Sequence, residues 1–265
     1  NQQLINFLNA SPTPFHATHN MAVILTENGF NELRETNKWN TPAGKYFVTR
    51  DDSSIVAFII GSNLLEDTGI RMVGAHTDSP CLKVKPQPER KSEGYQQLGV
   101  EVYGGVLLNP WFDRDLSLAG RVTFKTSKNQ VKSTLVNLER PIAIIPSLAI
   151  HLDREANKDR TINPETDLPP ILLNENETFS LANVLGDAAQ GGEILATDLY
   201  FYDTNPAQVI GIEEDFLASA RLDNLLSCFT GLKSLLEADD SVSSLLVCND
   251  HEEVGSASTS GAGGT

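Results

Sequence analysis

Between Ala220 and Asn249 the chain passes from a broad apolar helical stripe almost directly into a greasy strand, and few arrangements can bury both. In ARLDNLLSCFTGLKSLLEA the residues Leu222, Leu225, Leu226, Phe229, Leu232, Leu235 and Leu236 recur at three- and four-residue steps, which gathers them on one side of a helix. SSLLVCN follows at once, short and apolar as a buried strand is. A stripe this wide must be covered, and the adjoining strand makes a sheet its natural partner. The stretch predicts an α/β layer.

The rest of the chain fits that layer in two places and departs from it in between. Residues 1–30 read as two short helices broken by SPTP, the second closing at Asn28-Gly29, where glycine supplies a left-handed stop. KYFVTR, SSIVAFII and GIRMVGAH are apolar or alternating runs bounded by turn residues, and so read as strands. After His76 the texture changes: from about residue 80 to 217, Pro and Gly punctuate short strand-like pieces, KVKPQP, LGVEVYGGVLL, AGRVTFKT, RPIAIIP and ATDLYFYD. The polar stretch from Asn157 to Glu177 belongs to loops of that module. The organisation expected is α/β residues 1–79, an inserted β-rich domain over 80–217, and a return to the α/β domain over 218–265. No internal repeat is visible.

Bulk properties narrow the function. A net charge of −15 and a pI near 4.7 argue against nucleic acid or an anionic membrane surface as partner. No apolar run approaches the ~20 residues of a membrane helix, and the N-terminus lacks the basic start and apolar core of a signal peptide. The absent initial Met is expected to reflect trimming. Cys81, Cys228 and Cys248 are odd in number and share no C-x-x-C spacing, which favours a reducing, cytoplasmic setting; each reads as a small core residue.

Three clusters of polar residues sit where the apolar pattern stops. In GAHTDSP, His76 and Asp78 lie two apart at a strand end and project from one face. The pair suits a metal-binding imidazole and the carboxylate that orients it, or simply a turn capped before Pro80. In SARLDNLL, Asp223 stands at a helix start, a capping position that also suits a carboxylate shared by cations. In LLVCNDHEEVGS, Glu252 and Glu253 follow a buried strand. On an extended segment neighbours point apart, so one glutamate can bind metal while the other takes a proton from a water; the bland alternative is a solvated acidic strand end. Nitrogen and oxygen donors at three element boundaries point to a metal site.

GAHTDSPCLKVKP, WFDRDLSLAGRV, IPSLAIHLDR, ARLDNL and NDHEEVGSAS, preceded by FLNASPTPFHA, together resemble the successive motifs of the aspartyl aminopeptidase family of co-catalytic zinc metallopeptidases, in order and over the whole chain. The resemblance implies a zinc-peptidase-type α/β domain, a central mixed sheet flanked by helices, with the inserted β-rich domain serving assembly. It implies removal of N-terminal Asp or Glu from peptides through a water activated by two divalent metals, zinc foremost, and a homo-oligomer, usually a dodecamer. It assigns His76, Asp223 and Glu253 as ligands, Asp223 bridging, with Glu252 as general base and Asp78 holding the imidazole of His76. His151 matches a position that reaches a neighbouring subunit's active site. Two further ligands, an Asp and a His, are expected beyond Thr265, so the second part of the α/β domain and the metal site are expected to be incomplete within these residues. Trp111, Phe112, Asp113 and Arg114 are expected to pack and form ion pairs, and His16 and His19 to be surface or structural, while His251 matches no ligand. Mixed carboxylate and imidazole donors suit zinc, manganese and cobalt alike. Another hydrolase of the same clan, a carboxypeptidase or deacylase, could use the same donors. A non-catalytic metal-binding scaffold is the alternative from a different class, although it would need no base at Glu252.

Overall fold

Two helices open the chain, as the SPTP break requires. In the computed structural model, which describes residues 1–264, α1 (Gln2–Ala10) stops at Ser11 and α2 (Pro14–Glu27) begins with Pro14 in its first turn, where the missing N–H costs nothing. Gly29 then turns the chain at φ +82°. Next come β1 (Asn31–Leu33), β2 (Gly44–Arg50), β3 (Ser54–Ile60), the single-turn α3 (Leu65–Thr68) and β4 (Arg71–His76).

Residues 80–205 form a compact unit of their own. It holds β5 (Cys81–Ser92), β6 (Tyr95–Tyr103), β7 (Leu116–Lys125), β8 (Val131–Asn137), α4 (Pro164–Asp167), β9 (Ile171–Asn174), α5 (Leu181–Val184) and β10 (Glu193–Asp203). The six strands make one antiparallel sheet in the order β8-β7-β10-β5-β6-β9. Pro86 and Pro88 are accommodated within β5 because its pairing with β6 breaks register between Val84 and Glu89, a position that needs no ladder N–H. Leu82, Leu98, Leu116, Leu118 and Phe201 centre a core private to this unit. RPIAIIP forms no strand: Pro141 and Pro146 bracket it, and only isolated bridges from Ala143 and Ile144 remain. Of the tetrad from Trp111 to Arg114, Phe112 is buried under Arg160, Asp113 accepts the Ser147 N–H at 2.8 Å, and Arg114 faces Asp203 at 3.5 Å.

The chain then returns to the first unit, residues 1–79 and 206 onward. The segment 206–217, expected within the insertion, packs in the first unit instead. The hairpin of β11 (Gln208–Ile210) and β12 (Phe216–Ala218) is flanked by Ala207, which is buried, and Val209 and Leu217 rest on the same core. Ala207 N–H also donates to Asn9 Oδ1 of α1 at 2.7 Å. Next are α6 (Leu222–Leu236) and β13 (Ser244–Asn249). The sheet of this unit runs β1-β2-β3-β13-β4. Phe7 and Leu8 of α1, Met21 and Leu25 of α2, and Leu225, Leu232 and Leu235 of α6 bury against Phe47, Ile55, Ile59 and Leu246 of that sheet. No helix among the described residues is long and apolar enough to cross a membrane.

The strand directions of this sheet determine where its polar residues meet. β13 is antiparallel to β3 but parallel to β4, with Asn249 paired to His76. Two parallel strands therefore release their carboxyl ends at one spot, the usual place for a ligand in an open α/β sheet.

Candidate metal centre

His76 is held at that spot on three sides. Its backbone N–H donates to Asn224 Oδ1 at 3.2 Å, and its carbonyl accepts the Cys228 thiol at 3.1 Å. Its Nδ1 lies 3.1 Å from the Asp78 carbonyl and 3.2 Å from Asp78 Oδ1. Both neighbours are acceptors, so the ring proton belongs on Nδ1 and the lone pair of a neutral ring points out from Nε2. Nε2 faces Asp223 Oδ1 at 3.3 Å and Glu252 Oε2 at 3.8 Å.

Asp78 does more than touch the imidazole. Its side chain is 1% exposed, and such a carboxylate needs donors to compensate its lost hydration. It receives the backbone N–H of Glu252 at 3.2 Å on Oδ1 and that of Glu253 at 3.1 Å on Oδ2. One buried carboxylate thus ties the end of β4 to the glutamate pair. The H-x-D spacing contained no sign of this second connection.

The glutamates lie on a 3₁₀ turn, Glu252–Val254, entered through left-handed His251 and left through Gly255 at φ +96°. The extended segment expected here is therefore corrected to a tight turn, shaped by the two N–H bonds to Asp78. Successive residues still diverge, by about a third of a revolution in a 3₁₀ turn. His76, Glu252 and Glu253 nevertheless each bring one ligand atom into a group spanning no more than 4.8 Å.

Asp223 is not a helix cap. Its side chain accepts no N–H of the first turn, and the residue after it, Asn224 at φ/ψ −122°/21°, is itself non-helical, so regular helix begins only beyond Asn224. Its carbonyl accepts Ser79 Oγ at 2.7 Å and its Oδ1 accepts Asn224 Nδ2 at 3.2 Å, while the carboxylate is 77% exposed. Burial disfavours a charged His76, yet the hydrogen bond and charge of Asp78 and the charge of Glu252 outweigh it and raise the imidazole to about 9. The surroundings of the ring, Asp78 at Nδ1 before Glu252 near Nε2, favour positive charge.

The structure thus gathers His76, Asp78, Asp223, Glu252 and Glu253. His151 lies in the other unit, on an exposed turn. His251 turns its Nδ1 to Ser258 Oγ at 2.6 Å, toward its own loop. Two residues were overlooked in the sequence. Asn224 looks like any polar residue at a helix start, and Cys228 reads as plain core; only the contacts with His76 distinguish them.

The donor set agrees with what the chain resembles. The Aminopeptidase I zinc metalloprotease (M18) family matches residues 7–265. A probable M18 family aminopeptidase 2 of Pseudomonas fluorescens (strain Pf0-1) is 57% identical over 273 residues, covering 100% of this chain and 63% of that protein. Among solved structures, mApe1 of Chaetomium thermophilum superimposes with a TM-score of 0.91 at 32% identity, covering 100% of this chain and 65% of the other. The S. cerevisiae mApe1 dodecamer gives a TM-score of 0.81 at 28% identity, covering 98% and 62%. The chain spans about 63% of the length of the curated relatives it matches. With the family matched over nearly all of its residues, the chain belongs to the M18 aminopeptidase I family of zinc metalloproteases.

Proposed function

We propose that this chain carries the catalytic face of a metallo-aminopeptidase that removes N-terminal Asp or Glu from peptides. The observation that carries the reading is that His76, Glu252 and Glu253, at the ends of two parallel strands, bring ligand atoms within 4.8 Å of one another, with Asp223 Oδ1 from the entry to α6 lying 3.3 Å from His76 Nε2. One imidazole nitrogen among carboxylate oxygens is a donor set that suits zinc, so the residues present fit the ion. His76, Asp223 and Glu253 would contribute ligand atoms to divalent metal, zinc foremost. Bound there, such ions supply positive charge that polarises a peptide carbonyl and acidifies a water.

The remaining work falls to the chain's own groups. Glu252 takes the proton from the attacking water and passes it to the departing amine. Asp78 keeps the His76 proton on Nδ1 and fixes the turn that aims Glu252. The acidic preference rests on the motif resemblance to aspartyl aminopeptidases. Assembly into a homo-oligomer, a dodecamer in keeping with the S. cerevisiae relative, would give the β-rich unit its role and allow His151 to act in a neighbouring subunit. The three free thiols suit a cytoplasmic location.

The test is Glu252→Gln, assayed with its metal content measured. The amide is nearly isosteric but cannot accept the proton, so zinc should stay while turnover falls by about 10²–10⁴. Near-normal turnover in a zinc-loaded variant would remove Glu252 from the role of base. The wild type should prefer Asp–X and Glu–X over neutral peptides and N-acyl amino acids; equal rates would overturn the acidic specificity, and preference for the acyl compounds would favour a deacylase.

A further inference from the structure

We infer that Asn224 is a positioning residue, holding His76 and Asp223 in mutual register as ligands through the two arms of one side-chain amide. The inference rests on the metal-site reading above. His76 and Asp223 belong to different elements, β4 and the entry to α6. No backbone pairing between those elements fixes one ligand against the other. Asn224 spans the gap: Oδ1 accepts the His76 N–H at 3.2 Å, and Nδ2 donates to Asp223 Oδ1 at 3.2 Å.

The amide orientation follows from chemistry. A backbone N–H only donates, so the arm that meets it must be the oxygen. The other arm is then the NH₂, and it meets a carboxylate that only accepts. Both contacts agree on one flip. No other side chain of this size offers an acceptor and a donor on opposite arms. Aspartate would accept from His76 but repel Asp223, and alanine would do neither.

What the bridge contributes is preorganisation. The backbone of Asp223 is pinned by Ser79 Oγ, but its exposed carboxylate is otherwise free to rotate away from Nε2. The bond from Asn224 restricts that rotor and keeps Oδ1 3.3 Å from Nε2. Ligands held in place before the ion arrives do not lose that freedom on binding it. Partners of this second kind typically change metal affinity about 10–100-fold when removed.

The experiment compares wild type, Asn224→Ala and Asn224→Asp for Zn²⁺ affinity by competition with a chromogenic chelator, for melting of the metal-free protein, and for kcat and KM at saturating Zn²⁺. The inference expects Zn²⁺ affinity about 10–100-fold weaker in Asn224→Ala, with a lower kcat and a little-changed KM once zinc is saturating. Asn224→Asp keeps the His76 bond, so it tests the arm toward Asp223 if the alanine variant fails to fold; it too should bind Zn²⁺ more weakly. Wild-type Zn²⁺ affinity in either folded variant overturns the inference. A lower melting temperature with unchanged Zn²⁺ affinity would do the same, making Asn224 merely structural. Absence of Zn²⁺ binding in the wild type would instead overturn the metal-site reading itself.

Discussion

His16 shows how a single side chain outside the candidate ligand set records its surroundings. It sits at the start of α2 with Nδ1 2.8 Å from Thr13 Oγ1. Burial, and then the nearby charges of His19 and Arg221, lower its pKa to about 4. Arg221 cannot move off, because its guanidinium donates to the carbonyls of Ser11 and Leu8 at the end of α1. The unfolded chain would protonate His16 near 6.5. Between those values it binds a proton that the folded chain refuses, so this contribution to stability is present above about 6.5 and is lost as pH falls toward 4. The full loss is on the order of 3 kcal/mol. His16→Asn should flatten the difference between unfolding free energies measured by urea at pH 7 and pH 4.5; an unchanged pH slope would count against a neutral buried imidazole. The residue scale is also where the sequence spoke unevenly. His76, Asp78, Asp223 and the glutamate pair were legible because charge at the end of an apolar run is unusual. Asn224 and Cys228 were not, since their partners lie 148 and 152 positions away.

Elements were legible where one face is buried and the run is apolar. The two opening helices, β2, β3, α6 and β13 could be read from periodicity because their inner residues meet a single core; β4 was legible from its apolar run alone, for Arg71–Gly74 are exposed and only Ala75 packs on that core. β8 escaped notice because VKSTLVN, at the edge of its sheet, is mostly exposed or half-buried and carries little apolar alternation. The short β1 and β9 owe their conformation to the strands they pair with. The second unit boundary was displaced for a similar reason: a small hairpin, Gln208–Ala218, gives no sign in sequence of which core it will join. Gly120 carries a constraint that also appears only in the assembled sheet. It lies in β7 opposite Leu199 of β10, and a Cβ built on it would overlap the Asp198 carbonyl. Backbone rather than a flexible side chain blocks the space, so the pair of strands must separate. Gly120→Ala is expected to destabilise by about 3 kcal/mol or more. Chemical denaturation monitored at Trp111 would check it, and a loss below about 0.5 kcal/mol, the size of an ordinary surface change, would show that the sheet gives way easily.

At the scale of the molecule the two units have separate cores, one of α1, α2, α6 and the mixed sheet, the other of the antiparallel sheet. The chain also places one of its two tryptophans in each unit: Trp39 in the first and Trp111 in the second. Trp39 donates its indole N–H to the Arg34 carbonyl at 2.8 Å and borders a cavity with Val48, Val56 and Phe58. It therefore reports on the sheet that ends in the candidate ligands. Among those ligands, carboxylates stand close together in a chain of net charge −15, and an ion bound between them relieves their repulsion. Any ligand that binds only the folded state stabilises it, by about 2.7 kcal/mol at a hundredfold excess over its dissociation constant. For a unit of this size that is a rise of roughly 5–10 °C in melting temperature. In a Trp111→Phe variant, Zn²⁺ should raise the midpoint seen by Trp39, and a chelator should reverse the rise. Asp223→Ala combined with Glu253→Ala should abolish the response while leaving the chelated midpoint unchanged or higher, because two crowded charges are gone. A Zn²⁺ effect that survives this double substitution, or that appears only at Trp111 in a Trp39→Phe variant, would move the ion away from the ends of β4 and β13.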